Sequence, residues 1–191
     1  MDYSHNNISP LDNRYRKKII ELTNVFSEHA LVKTRFIIEI DWIIFLCSNH
    51  SKHFGPISKK SIDKLNTFKK NFSDKDVKKI KKIEEITNHD VKAVEYYIRD
   101  FLKKDKTLSK YIHLIHFALT SEDVNSLSYA LMIKDGTSMH IDKALECKKI
   151  ISKLANTWKN ITFLSRTHGQ AASPSAIAVS YTHLRAHETV A

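Results

Sequence analysis

The stretch that decides the fold is residues 27–47, which read SEHALVKTRFIIEIDWIIFLC. Apolar residues recur here at steps of four, four, three and four, at Val32, Phe36, Ile40, Ile43 and Cys47. This spacing places their side chains on one face of an α-helix. The pattern begins at Ser27, and Gly55-Pro56 ends the segment. The stretch therefore predicts a long helix that buries one face in a core.

The same helical period continues through the next segments. A shorter helix is predicted from Ser58 to Phe72, and Ser73 with Asp76 has the spacing of a capping box for the helix that follows. Asp90 is the predicted N-cap of another helix, because apolar residues recur helically after it. The chain has only three Gly and three Pro, which disfavours an all-β fold. We therefore predict a mainly α fold.

Beyond residue 110 the pattern is more varied. The segment from Tyr111 to Leu119 is predicted to be helical, and its two histidines, His113 and His116, are interpreted as structural. One helix is expected to end at Gly136. A longer one follows from Ser138 to about Trp158.

The C-terminal part contains a short break in the helical pattern. Ile161 to Leu164 are β-branched, aromatic or aliphatic and are expected to be extended. Ser173 and Pro174 have the residue types of a helix N-cap and first helical position. A loop carrying polar groups is therefore predicted between an extended run and a helix.

The charge and the cysteines restrict the class of protein. The formal charge is +10 and the pI about 9.5, but the lysines are spread over many segments, which favours a solvated helical surface over a nucleic-acid site. Cys47 and Cys147 form no CxxC pair, so no metal or redox motif is predicted. The apolar run that contains Glu39 and Asp41 is too short to span a bilayer. We expect a cytoplasmic protein without nucleic-acid or membrane partners.

Four polar strips punctuate the helices: Arg14-Tyr15, Asn88-His89-Asp90, Thr120-Ser121 and the loop from Ser165 to Gln170. An arginine offers a planar, always-charged fork for phosphate or carboxylate, and helix N-termini favour anions. Taken singly, each strip has a plain reading as a cap or a surface loop. Thr120, for example, has Asp123 at capping-box spacing.

Taken together and in order, the strips resemble those of the adenylosuccinate lyase family of the fumarase/aspartase superfamily. The resemblance covers about residues 8–178 and is carried most strongly by Asn-His-Asp-Val-Lys-Ala-Val-Glu-Tyr at residues 88–96 and Ser-Arg-Thr-His-Gly-Gln at residues 165–170. It implies a fold with an N-terminal helical domain and a bundle of long helices.

The resemblance also implies a reaction and its residues. Adenylosuccinate would split into AMP and fumarate, and a succinyl-carboxamide ribotide would be cleaved in the same way. His168 would be the catalytic acid. The implied substrate-binding residues are Arg14, Tyr15, Asn88, His89, Asp90, Thr120, Ser121, Thr167 and Gln170. No metal and no organic cofactor is implied, and the intact enzyme would be a homotetramer.

One part of the family pattern is missing from this sequence. The family's base is a Ser in a mobile Gly-Ser-Ser loop, and no such loop occurs in the 191 residues. We expect an N-terminal domain over residues 1–118, the beginning of the central bundle over 119–178, and an unrelated appended tail over 179–191. The chain alone is expected to be inactive.

Two other functions remain open on the sequence. The first is another lyase of the superfamily, such as argininosuccinate lyase, against which the long match at residues 88–96 argues. The second is a basic helical module that binds nucleic acid without catalysis, which would show salt-dependent binding to duplex DNA.

Overall fold

The computed structural model describes Ser9, Leu11 and residues 14–181. Most of the predicted tail, residues 182–191, lies outside this range. The chain divides into two compact units, of which one ends at Gly136 and the other begins at Thr137. Each unit is described by itself.

The described chain is mainly α, as predicted. Its α-helices are α1 (Ile20–Phe26), α2 (Glu28–Asn49), α3 (Ser51–Phe54), α4 (Lys59–Lys70), α5 (Asp74–Thr87), α6 (Asp90–Lys103) and α7 (Ser121–Thr157). Short 3-10 helices span Arg16–Lys18 and Ser109–Leu114, and two strands, β1 (Thr162–Thr167) and β2 (Gln170–Ala176), follow α7.

Helix α2 lies at the centre of the first unit. The side chain of Ser27, where the predicted pattern begins, accepts a hydrogen bond from the Ala30 N–H and caps the start of the helix. The five residues of the predicted apolar face are all buried. Helices α4, α5 and α6 pack around this face, and Phe36 contacts the rings of Phe68 and Phe72.

A smaller apolar cluster lies apart from this main core. Ile38 on α2 packs with Val91 in the first turn of α6 and Val124 in the first turn of α7, and Leu119 adds to the cluster. The starts of α6 and α7 are thereby held against the same helix, although they are far apart in sequence.

Two helix predictions are wrong, one in its boundary and one in its type. Helix α7 runs without a break through Gly136, where the sequence predicts an end. The ring of Phe26 packs so closely on this glycine that an added Cβ would lie 2.3 Å from its Cζ atom. The segment after Leu108 is not an α-helix but a 3-10 helix followed by turns, in which His116 and Ala118 have φ angles of 58° and 57°.

The second unit contains an antiparallel hairpin. The predicted extended run is confirmed as β1, but Ser173 and Pro174 do not begin a helix, because they lie in β2. Ser175 pairs with Phe163 and Pro174 with Leu164. Both strands of a two-stranded sheet are edge strands, where the missing N–H of a proline is tolerated. A helical turn begins only at residue 177.

Within the described residues, no helix combines the length and the apolar character needed to cross a membrane.

Candidate functional site

The Asn88-His89-Asp90 strip forms the junction between α5 and α6. Asn88 has left-handed backbone angles, with φ 49° and ψ 35°, and closes α5. His89, and not the predicted Asp90, is the N-cap of α6, because its Nδ1 accepts the Lys92 N–H at 3.2 Å. Since Nδ1 is an acceptor in this bond, the neutral ring carries its proton on Nε2.

The N–H groups of Val91, Lys92 and Ala93 at the start of α6 are used by the strip itself. The Val91 N–H donates to Asp90 Oδ1 at 2.8 Å, and the Ala93 N–H donates to the His89 carbonyl. The side chains of the strip, together with Lys81, Glu84 and Glu85, line one open pocket. This surface therefore presents imidazole, amide and carboxylate groups to a ligand.

The Thr120-Ser121 strip lies at the start of α7. The backbone N–H and the hydroxyl of Thr120 both donate to Asp123 Oδ2 at 2.7 Å, and the Asp123 N–H donates to the Thr120 hydroxyl at 3.3 Å. The predicted capping box is thus confirmed. These bonds from Thr120 lower the pKa of the Asp123 carboxyl. Within residues 14–181 the N–H groups of Ser121 and Glu122 have no acceptor, so they are open to an anion.

Arg35, which the sequence patterns did not single out, joins Asp90 of the first strip to Asn125, one turn beyond Ser121 on α7. Its Nη1 atom lies 2.8 Å from Asp90 Oδ2, and its Nε donates to Asn125 Oδ1 at 2.9 Å. The residue is only 4% exposed, beneath the starts of α6 and α7. Partial burial raises the pKa of the Asp90 carboxyl, but the Val91 N–H and the Arg35 guanidinium outweigh it and hold the pKa below its ordinary value.

His116 has a buried partner that the sequence did not indicate. Its Nδ1 lies 2.6 Å from Glu39 Oε1, and its backbone N–H donates to Glu39 Oε2 at 3.0 Å. Burial raises the pKa of the Glu39 carboxyl, although the bonds from His116 oppose this shift. Glu95 Oε1 is also buried, 3.8 Å from the same ring nitrogen. Two buried carboxyl groups, those of Glu39 and Glu95, therefore lie beside His116, which precedes Thr120 by four residues in the sequence.

The Arg14-Tyr15 strip precedes α1. The Arg14 guanidinium lies over the Tyr15 ring, 5.4 Å from its centroid, and the ring is partly exposed. Within the described residues, no hydrogen bond or ion pair joins this strip to the starts of α6 and α7.

The predicted catalytic loop is the turn of the hairpin. Thr167 pairs with Gln170, and the two residues between them, His168 and Gly169, have positive φ angles of 50° and 77°. Two positive φ angles in a two-residue hairpin turn are the feature of type I′ geometry. His168 is exposed at the tip, where its ring is accessible to a substrate or to another part of a larger site.

Comparison with known proteins identifies the family of this chain. The model of the lyase family matches residues 14–188, which is most of the chain. The chain belongs to this lyase family. The match includes much of the segment that we expected to be an unrelated tail.

Relatives of this lyase-family chain include curated bacterial enzymes. It is 42% identical over 174 residues to the adenylosuccinate lyase of Haemophilus influenzae, 40% identical to that of Buchnera aphidicola subsp. Schizaphis graminum and 39% identical to that of Escherichia coli K12. Each match covers 89% of this chain but only 38% of the relative. The chain thus spans little more than a third of their length.

A solved structure shows the same fold. The β-carboxy-cis,cis-muconate cycloisomerase of Acinetobacter calcoaceticus sp. ADP1 superposes with a TM-score of 0.62 at 16% identity, over 87% of this chain and 37% of that one. The mainly α, fumarase/aspartase-like fold class predicted from the sequence is confirmed. Among the described residues, no group of three or more His, Cys, Asp and Glu side chains is arranged to hold a metal ion.

Proposed function

We propose that this chain supplies part of the active site of an adenylosuccinate lyase. The reaction is β-elimination of fumarate from adenylosuccinate, which leaves AMP, and from the succinyl-carboxamide ribotide of purine biosynthesis. The observation that carries the proposal is that Arg35 links Asp90 of one family-like strip to Asn125, one turn along α7 from the other strip, in a chain 39–42% identical to adenylosuccinate lyases.

The start of α7 binds a carboxylate of the substrate. Ser121 brings a hydroxyl, and the open N–H groups of Ser121 and Glu122 point out of the helix N-terminus, while the Thr120 hydroxyl donates its proton to Asp123 and holds the first turn in place. The macrodipole adds partial positive charge there. Several donors converging on one anion are suited to a succinyl carboxylate.

The start of α6 orients the rest of the substrate. His89 presents its Nε2–H, because Nδ1 is used in the cap, and Asn88 presents an amide next to it. The Asp90 carboxylate would repel a polyanion, but Arg35 neutralises it. Arg14 and Tyr15 take the nucleotide part, with the guanidinium suited to the phosphate.

His168 protonates the nitrogen that leaves with AMP. A positioned acid of this kind contributes roughly 10²–10⁴-fold to the rate. The backbone at the turn holds this side chain outside the hairpin, with Thr167 and Gln170 on either side as hydrogen-bonding groups. The carbon-bound proton is removed by a serine that this sequence does not contain, so the site is completed by other residues of the enzyme.

The intact enzyme is a homotetramer in the cytoplasm. Support for assembly comes from large apolar side chains that α7 leaves exposed, namely Leu127, Ile133, Ile141, Leu145 and Ile150, because exposed apolar surface of this kind marks association sites. Both cysteines are free thiols, which suits a reducing compartment.

A chimera tests the proposed function. Residues 14–178 of this chain replace the matching segment of the Haemophilus influenzae relative, and fumarate release from both substrates is followed by ultraviolet absorbance. We expect turnover of both. A folded, tetrameric chimera that releases no fumarate from either substrate would contradict the proposal.

Substitutions at two serines on α7 distinguish a loss of substrate binding from a general loss of structure in this chimera. Ser121→Ala should raise KM about 10-fold or more, because a hydrogen bond to a charged group contributes about 1.5–3 kcal/mol. Ser126→Ala is the matched control, since Ser126 lies on the same helix and bonds only to Glu122 among the described residues. An equal effect of both substitutions would remove Ser121 from the carboxylate site.

A further inference from the structure

Arg35 has an unusual set of contacts for a buried cation. It extends from α2, and two different nitrogens of its guanidinium contact two other helices, through Asp90 on α6 and Asn125 on α7. The side chain is 5% exposed, whereas the Asp90 side chain is 46% exposed. Burying a guanidinium is costly unless it is paired and hydrogen-bonded. Its position is therefore defined by these two directional contacts.

The apolar cluster beneath Arg35 cannot fix the geometry by itself. Ile38, Val91 and Val124 hold α6 and α7 against α2, but apolar contact is non-directional. Packed helices slide by about 1–2 Å between alternative arrangements. Hydrogen bonds depend steeply on distance and angle. The bonds from Arg35 to Asp90 and Asn125 therefore restrict this sliding where the apolar cluster does not.

We propose that Arg35 is a positioning residue that sets the spacing between the Asn88-His89-Asp90 strip and the Thr120-Ser121 strip. The inference rests on the proposed function in one respect, namely that these strips bind one substrate. Arg35 itself does not touch the substrate, because its side chain is buried and its donors are used by Asp90 and Asn125. It acts through Asp90, the first residue of α6, and Asn125, the fifth residue of α7.

The planar fork of arginine is needed for this role. Nε and Nη1 diverge in one rigid plane and reach acceptors on two helices at once. A lysine keeps the charge but concentrates its donors on one atom. Arg35→Lys should therefore keep the ion pair with Asp90 and lose the hydrogen bond to Asn125.

The spacing is measured by spin labels on the 191-residue chain. Tyr96 on α6 and Tyr129 on α7 are both exposed and are replaced by cysteines for labelling. The exposed Cys147 is replaced by serine, and the buried Cys47 is left in place. Pulsed electron resonance then gives the distance distribution between α6 and the first part of α7.

Four single substitutions and one double substitution are compared with this labelled parent. Arg35→Gln should shift the mean distance by about 1–2 Å and broaden the distribution. Arg35→Lys and Asn125→Ala should each give the same smaller broadening of the distribution. The double substitution should broaden it no further, since both single substitutions remove the same hydrogen bond between Arg35 and Asn125. Lys64→Gln is the control, because Lys64 also bonds two partners, Asp105 and Thr107, without joining α6 to α7. It should leave the distribution unchanged.

The outcomes decide between positioning and mere stabilisation. An unchanged distribution in folded Arg35→Gln overturns the proposal, as does an additive effect of Arg35→Lys and Asn125→Ala. If Arg35→Gln does not fold, as judged by circular dichroism, the distance distribution of Asn125→Ala is used instead, and an unchanged distribution overturns the proposal. The measurement needs no substrate. An inactive chimera with a shifted distance would therefore refute the lyase function alone, and an active chimera with an unshifted distance would refute the role of Arg35 alone.

Discussion

Gly136 provides the sharpest test of how the first unit is packed. It lies inside α7, and a Cβ built on it would lie 2.3 Å from Cζ and 2.5 Å from Cε2 of Phe26. In an exposed helix, Gly→Ala stabilises by about 1 kcal/mol, because glycine is a poor helix former. Here the new methyl group must first displace the ring of Phe26.

The cost of that displacement can be bounded. Phe26 is 52% exposed, so only about half of the ring's burial is at stake. Full burial of a large apolar side chain contributes about 1.5–3 kcal/mol, and overpacking costs about 1–3 kcal/mol. The gain and the cost are opposed, so Gly136→Ala should be neutral or destabilise the chain by up to about 2 kcal/mol.

A double-mutant cycle isolates the contact. In a Phe26→Ala background no ring blocks the methyl group, and Gly136→Ala should then stabilise by about 1 kcal/mol. The free energy of unfolding is measured by guanidinium denaturation in dilute protein, followed by circular dichroism. If Gly136→Ala stabilises both backgrounds equally, the ring does not press on the glycine and this packing is wrong.

Three further predictions concern the site and the chain. Asn88→Ala should cost about 1–2 kcal/mol because of the left-handed backbone, whereas Asn88→Gly should cost much less; equal losses would contradict the φ of 49° at this residue. Because burial raises the pKa of Glu39, its protonated form favours folding below the unfolded pKa, and this contribution is lost as pH rises through the folded pKa. The free energy of unfolding of Glu39→Gln should thus gain on that of the wild type as pH rises above the unfolded pKa of the carboxyl, and the opposite slope would refute it. The 191-residue chain alone should release no fumarate above a no-protein control, because it contains no Gly-Ser-Ser loop, and measurable release would show that a base lies elsewhere in it.

Helix starts were predictable from sequence where the cap is local. The sequence predicts helix starts at Ser27 and Ser58 and a capping box at Ser73 and Asp76. All three positions cap their helices, because each bond joins residues three positions apart. The apolar face of α2 followed from its period for the same reason. Such features depend on neighbours in the chain and not on the fold.

The wrong predictions at Ser173-Pro174 and Gly136 depend on distant partners, whereas the N-cap of α6 was misplaced by one residue, because His89 and not Asp90 accepts the Lys92 N–H. Ser173-Pro174 has the local pattern of a helix start, yet pairing with β1 makes it a strand. Gly136 has the local pattern of a helix end, yet α7 continues past it. Arg35 looked like one polar residue in a helix, because nothing in the period of α2 indicates that its partners are Asp90 and Asn125.

The most direct test of the proposed function is the rate of the chimera with and without His168. His168→Ala should lower kcat for adenylosuccinate by roughly 10²–10⁴-fold with little change in KM, because the acid acts in the transition state. His140→Ala is the matched control, since His140 is an exposed histidine on α7 and should keep full activity. Turnover of His168→Ala within about tenfold of the parent would show that His168 is not the acid, since a positioned acid contributes at least about 10²-fold.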